Sequence, residues 1–344
     1  MNTSNHLDAF RGSAMCRDLD DAAAAQLFAL ADPFAVAAGS RLVRQGEPAR
    51  GAFVVGSGAC EARVTLPGGG ERPLARFAAG AMFGEMALLD QGLCSASVFA
   101  KTDTTGWFID RAPFRALAAG RNPAALAIAR QVALGLVARL GALNAELLRQ
   151  PAAEDRKVVD HAPAEDPLAA MPRLPAMVDF PYRQFLPVLP FFAGFLPAQI
   201  DAVIAPASVL RVDRGGWLFA AGLPAKACFL VVRGAVEANA HRDGLERRIA
   251  VLGPGSLVGY LSVLRGGAHG ANARVRENAV LLEYPAAAFL SIFAGTSGAE
   301  VKMQQAIQRA LLGSLSRSNS QLSRLVTQHA LGATLAARAL QATI

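Results

Sequence analysis

The sequence predicts a mainly β protein with flanking helices, built as two copies of one unit in tandem. Three observations carry this: a long-period internal repeat, short Val- and Phe-rich runs punctuated by Gly and Pro in each copy, and an apolar helical stripe closing each copy. At 344 residues the chain is long enough for two domains that each bury a full core.

The repeat is direct. "GSRLVRQGEPARGAFVVGSGACEA" runs from Gly39 to Ala62, and "GGWLFAAGLPAKACFLVVRGAVEA" from Gly215 to Ala238. Gly39, Gly46, Pro48, Phe53, Gly58 and Glu61 each meet the same residue type 176 places later. After the turn-like "TLPGGG" the offset falls to 175, pairing Glu71 with Glu246, Gly84 with Gly259, Leu140 with Leu315 and Asn144 with Asn319. One residue gained or lost in a hairpin loop accounts for the change.

Taken in order, "LDAFRGSAMCRDLDDAAAAQLFAL" supplies the entry helices of the first copy. "AFVVGSG" and "CEARVTL" then read as strands, and such closely spaced short strands suggest an antiparallel sandwich or barrel. Val132, Leu136, Leu140, Leu143 and Leu147 recur at spacings of four and three, so a helix follows. Its apolar stripe either packs on its own sheet or forms a coiled-coil-like seam with another long helix.

Residues 150–179 carry Pro151, Pro163, Pro167, Pro172 and Pro175 among mixed charges and read as a semi-extended linker. After Phe180, "FLPVLPFFAGFLPAQIDAVI" looks like the second set of entry helices, "CFLVVRG" like a strand, and Ile307, Leu311, Leu315, Leu322 and Leu325 like the second striped helix. The expected domains are therefore 1–149, a linker at 150–179, 180–326, and a tail at 327–344.

Net charge is +7, yet Lys and Arg are dispersed singly or in pairs such as Arg247 and Arg248, which describes a solvated surface rather than a nucleic-acid track. No run approaches the roughly 18 uninterrupted apolar residues of a membrane span. "MNTSNHLDAF" lacks the basic and apolar regions of a secretory signal, so the expected compartment is the cytoplasm. Cys16, Cys60, Cys94 and Cys228 are scattered without a C-x-x-C pair, which argues against a metal site or a redox dithiol. There is no Walker, nucleophile-elbow or H-E-x-x-H motif, and His6, His161, His241, His269 and His329 lie far apart. An enzyme is not expected.

The segments "ARFAAGAMFGEMALLDQGLCSASVFAKTDT" (75–104) and, more weakly, "AVLGPGSLVGYLSVLRGGAHGANARV" (250–275) resemble the cyclic-nucleotide-binding domain of catabolite activator proteins, protein kinase A regulatory subunits and cyclic-nucleotide-gated channels. The resemblance implies two eight-stranded jelly rolls with flanking helices, each followed by a long helix that moves or dimerises on ligand binding. It also implies a phosphate-binding cassette: a Gly for close backbone approach, a Glu for the ribose 2'-hydroxyl, amides at a short helix start, and an Arg that pairs with the phosphate. On that pattern Gly84 and Glu85 match, Met86 and Ala87 would supply the amides, and Ser95 and Ala96 match the small residues after the Arg. Cys94 stands where the Arg belongs. Arg44 or Lys101 are the candidates to replace it. In the second copy Gly259 is kept, Tyr260 stands at the Glu position and His269 at the Arg position.

The resulting expectation is a non-enzymatic sensor of cAMP, cGMP or a related anion, signalling through its long helices to a partner protein, with the two copies paired in one chain as a pseudo-dimer. DNA binding is not expected, since only 18 residues follow the second stripe, too few for a helix-turn-helix domain. The competing reading is a ligand-independent scaffold of degenerate domains; a third is a detachable enzyme regulator.

Overall fold

The computed structural model describes residues 3–65, 70–149, 156–157, 162–169, 181–242 and 245–341. The chain divides into two compact units, 1–132 and 133–344.

The first unit opens with α1 (Thr3–Arg11) and α2 (Asp21–Phe28), the latter capped by Asp20, whose carboxylate accepts from Ala23 N at 2.7 Å. Eight strands follow: β1 (Ala31–Val36), β2 (Arg41–Val43), β3 (Gly51–Ser57), β4 (Ala59–Thr65), β5 (Glu71–Ala78), β6 (Met82–Phe83), β7 (Ser97–Ala100) and β8 (Thr104–Asp110). They form two four-stranded antiparallel sheets, β1-β8-β3-β6 and β2-β7-β4-β5, an open sandwich with the crossed connections of a jelly roll.

Strand alternation sends Val55, Cys60, Ala62 and Val98 between the sheets. There Phe53 gathers Phe34, Phe83 and Phe108 at ring separations of 5.6, 5.0 and 4.7 Å. Ala52, Val54, Trp107 and Ile109 face the other way, against Phe10, Leu27 and Phe114 of the flanking helices. Helix α3 (Arg111–Ala119) is capped by Asp110, and α4 (Pro123–Arg149) begins by adding Ala125, Ile128 and Val132 to that core.

The second unit takes the rest of α4, then β9 (Arg156–Lys157), α5 (Tyr182–Phe185), α6 (Pro197–Ile204), β10 (Ser208–Val212), β11 (Trp217–Phe219), β12 (Ala227–Arg242), β13 (Leu245–Leu252), β14 (Leu257–Val258), α7 (Tyr260–Arg265), β15 (Asn272–Pro285), α8 (Ala286–Ala294) and α9 (Gly298–Gln341). β12 does the work of β3 and β4 in one strand, and β15 that of β7 and β8, so one seven-stranded sheet stands where the first unit has two of four.

Two domain boundaries differ from the sequence expectation. The compact units part at Val132 rather than at 149, because the second half of α4 packs with residues after 240. Arg247 donates to the Leu147 carbonyl, and Ser318 Oγ donates to Asn144 Oδ1 at 3.0 Å. The expected tail is helical as far as Gln341, continuing α9. Most of the expected linker lies outside the described residues. Within it, β9 pairs with Leu245 and Glu246, and Leu168 is buried in the core between the strands. Helix α4 is long and apolar enough to cross a membrane by length and composition, although Arg130 and Arg139 interrupt its apolar run.

Leu168 fills a gap the strands leave. Three of the first unit's clustered aromatics, Phe34, Phe83 and Phe108, are Leu210, Val258 and Glu283 in the second, so bulk is missing there. Leu168, 2% exposed, packs with Leu210, Phe219 and Phe229 in that space. Leu168→Ala should therefore destabilise the second unit by about 2 kcal/mol or more, as a buried leucine does, and not by the few tenths expected of a linker residue. Urea unfolding followed by circular dichroism measures it.

Candidate functional site

In the first unit the chain leaves β6 and enters a 3-10 turn, Glu85–Leu88. Gly84 caps it in a left-handed conformation, φ 74°, and a Cβ there would lie 2.8 Å from the Gly51 carbonyl oxygen, so both conformation and space call for glycine. Glu85 is half-buried at the start of the turn, Met86 follows it, and Ala87 N–H closes onto the Gly84 carbonyl at 3.0 Å.

Cys94 is placed by its backbone. Its N–H donates to the Glu47 carbonyl at 2.8 Å, and its carbonyl accepts from Gly46 N at 2.9 Å. Burial, with the nearby Glu47 charge, pushes its thiol above the ordinary value, so at neutral pH it presents a neutral SH. Ser95 is exposed and Ala96 half-buried on the approach to β7.

Of the two candidate replacement cations, Lys101 is turned away. It lies 3.7 Å from Glu61, a buried carboxylate that also takes Arg63 at 2.9 Å and Arg76 at 3.3 Å. The hydrogen bond from Arg63 is the main influence holding the Glu61 carboxyl below its usual range. By strand alternation Glu61 faces away from Cys60 and Ala62, which point between the sheets. Arg44 sits in the loop that holds Cys94 and, among the described residues, pairs with Glu47 at 3.7 Å with both side chains more than half exposed. Such a pair contributes roughly 0–1 kcal/mol and is easily exchanged.

The second unit repeats the backbone and changes the chemistry. Gly259 has φ 78° and caps α7, as Gly84 caps its turn. His269 exchanges two backbone bonds with Gly222 and Leu223, both at 2.8 Å, repeating the Cys94 arrangement. Its ring, however, is 5% exposed and stacks on Phe219 at 3.6 Å and 7°. Burial lowers its pKa to about 4, with Asp166 opposing, so it carries no charge at neutral pH. Its Nδ1 has no hydrogen-bond partner among the described residues. His269, which stands at the family's arginine position, therefore offers no positive charge here at neutral pH.

Tyr260 is buried too. Its hydroxyl lies 3.3 Å from Ser314 Oγ on α9, and burial pushes its pKa up to about 12. Two cavities flank this region. One, of about 260 Å³, lies against Gly259 and Tyr260; the other, of about 690 Å³, is lined on one side by residues 164–169 and reaches His269. Sequence reasoning missed Arg265, Ser314 and Arg317 beside the first cavity and Leu168 beside the second. A leucine in a polar, proline-rich stretch was the only available signal for the last.

The cyclic nucleotide-binding domain model matches residues 33–121 and 209–296, about half of the chain. The chain belongs to this family. Among curated relatives, the cyclic AMP receptor protein of Thermus thermophilus is 36% identical over 94 residues, 27% of this chain and 44% of that protein. The cAMP-dependent protein kinase regulatory subunit of Blastocladiella emersonii is 36% identical over 80 residues, 23% of this chain and 20% of that one. The chain thus spans less than half the length of each. The regulatory domain of Toxoplasma gondii PKA, solved with cAMP, covers 91% of this chain and 96% of its own at 16% identity and a TM-score of 0.33, too loose a superposition to bear on the site.

Within the family's pattern, the cyclic-nucleotide-binding domain at 209–296 keeps the cassette backbone and lays His269 on Phe219. The pH dependence of stability should report this. A base with its folded pKa lowered from 6.5 to about 4 stabilises fully above pH 6.5 and loses that contribution as pH falls toward 4. The loss is on the order of 2–3 kcal/mol. Urea unfolding at pH 7.0 and 4.5 should show it in the wild type, and His269→Phe should flatten the slope in that window.

Proposed function

We propose that the chain is a non-enzymatic cyclic-nucleotide sensor, with cAMP or cGMP bound in the first domain and the occupancy passed to a partner protein through α4. The observation that carries this is the state of residue 94: its backbone is held by two hydrogen bonds, to the Glu47 carbonyl and from the Gly46 amide, beside a Gly84–Glu85 turn of the family's pattern, and a cysteine stands where that pattern has its cation.

In this reading Glu85 accepts from the ribose, the first amides of the 3-10 turn face the phosphate, and Ser95 and Ala96 line the approach. Arg44 supplies the charge that Cys94 lacks. A ligand with unequal affinity for two positions of α4 shifts their populations, and the helix carries that shift onward. The apolar stripes of α4 and α9 would pair within the chain, taking the place of a dimer partner.

A ligand-independent scaffold is favoured by one observation, the stacked and uncharged His269 of the second domain. That supports retirement of the second cassette and leaves the first untouched.

Calorimetric titration of nucleotide-stripped protein with cAMP and cGMP tests the sensor reading. Binding should fall at least tenfold in Glu85→Ala and several-fold in Arg44→Gln. Cys94→Arg should tighten it, since a hydrogen bond to a charged group contributes about 1.5–3 kcal/mol, roughly ten- to more than a hundredfold. No heat at millimolar nucleotide from the wild type and from Cys94→Arg would overturn the sensor and leave the scaffold.

A further inference from the structure

The larger cavity of the second domain, about 690 Å³, falls in the range of roughly 300–1,000 Å³ usual for small-molecule pockets. It lies apart from the cassette. Phe219 lines both cavities, and its ring, stacked on His269, stands between them. A Cβ on Gly259 would lie 2.9 Å from Phe219 and 3.3 Å from His269 on the cassette side, while neither Gly259 nor Tyr260 is among the described lining of the larger space.

The space follows from the sequence. In the first domain Phe53 stands opposite Phe108 in the ladder of β3 and β8; in the second the corresponding pair is Phe229 and Glu283, so a carboxylate replaces a ring. Leu168 takes up part of the volume, and the rest is open.

Two properties of the lining point to an occupant. The first is sign. Among the described lining the carboxylates are Glu165, Asp166 and Glu283, and the cation is Lys226, which is exposed. Burial keeps His269 uncharged at neutral pH, so the balance is negative, opposite to what a nucleotide phosphate needs.

The second is an unmet hydrogen bond. His269 is 5% exposed, and its Nδ1 has no partner among the described residues. A buried polar atom left unpaired is costly, and a neutral imidazole has one nitrogen that accepts. Asp166 is the charged neighbour that acts on this ring. Its Oδ1 accepts from Leu168 N–H at 3.0 Å, which fixes the carboxylate at the cavity wall and leaves its second oxygen able to accept as well.

We propose that this cavity binds a small apolar molecule carrying a primary ammonium group. The ammonium lies between Asp166 and His269, giving one N–H to the second Asp166 oxygen and another to Nδ1, and the apolar body rests against Leu168, Phe219 and Phe229. The bond to Asp166 is charge-assisted, whereas an anionic group in the same place would face that carboxylate. The site belongs to the second domain and does not rest on the sensor reading of the first.

Calorimetric titration of the full-length, nucleotide-stripped protein tests this with three probes of one shape: phenethylamine, 2-phenylethanol and phenylacetate. One equivalent of phenethylamine should bind. The alcohol, which lacks the charge, should bind at least tenfold more weakly, and phenylacetate should give no heat at millimolar concentration. Asp166→Asn keeps the Oδ1 acceptor for Leu168 and removes the charge, so it should weaken phenethylamine at least tenfold and leave 2-phenylethanol unchanged. His269→Phe keeps a ring for Phe219 and removes Nδ1, and should weaken phenethylamine several-fold.

No binding of phenethylamine at millimolar concentration, equal binding of the alcohol, or an affinity unchanged in Asp166→Asn overturns the proposal. So does displacement of the amine by cAMP, which would put it in a cassette. The two readings fail separately: cAMP binding without amine binding keeps the first-domain sensor and removes this site, and amine binding without cAMP binding does the reverse.

Discussion

The backbone pairing that fixes residues 94 and 269 is the constraint on which both cassettes depend. Cys94 and His269 differ in size, polarity and capacity for charge, yet each donates to one carbonyl and accepts from one amide of the loop that begins at Gly46 or Gly222. Main-chain groups near the core must find partners, and here they find the same ones in both domains whatever side chain is attached. The position is therefore built before any ligand chemistry is added to it. Losing an arginine deletes a charge and leaves the frame standing.

What each domain then does with that frame follows from how its interior is filled. The first packs four phenylalanines between its sheets and leaves its turn at Gly84 with half-buried and exposed neighbours. The second has fewer aromatics, draws Leu168 inward, and lays His269 flat on Phe219 where a charged side chain would otherwise reach outward. Desolvation makes the neutral imidazole the stable form, so this arrangement and a phosphate contact exclude one another. The positive charge that lines this domain's smaller cavity sits instead on helices.

Much of the architecture was legible in the sequence, for identifiable reasons. The glycines that repeat at Gly39, Gly46, Gly58 and Gly84 all have positive φ, as do Gly215, Gly222, Gly234 and Gly259, so the repeat recorded backbone geometry directly. The striped helices were legible because apolar spacing is a local property. The partition of α4 was not, since Leu140 and Leu147 read as one stripe with Val132 while their neighbours differ. Nor were Arg265 and Arg317, 52 residues apart on two helices, because nothing local marks two arginines that share a space. The second cassette was legible as altered, but not the direction in which His269 turned: stacking on Phe219 is a property of packing.

Helix α4 gives its first turns to one compact unit and the rest to the other. That single fact bears on where the chain can be divided. Asn144 and Leu147 are bonded to Ser318 and Arg247, so a cut at the end of the helix would leave the second unit without surface that covers it. A cut after Val132 instead leaves each compact unit its own share of the helix.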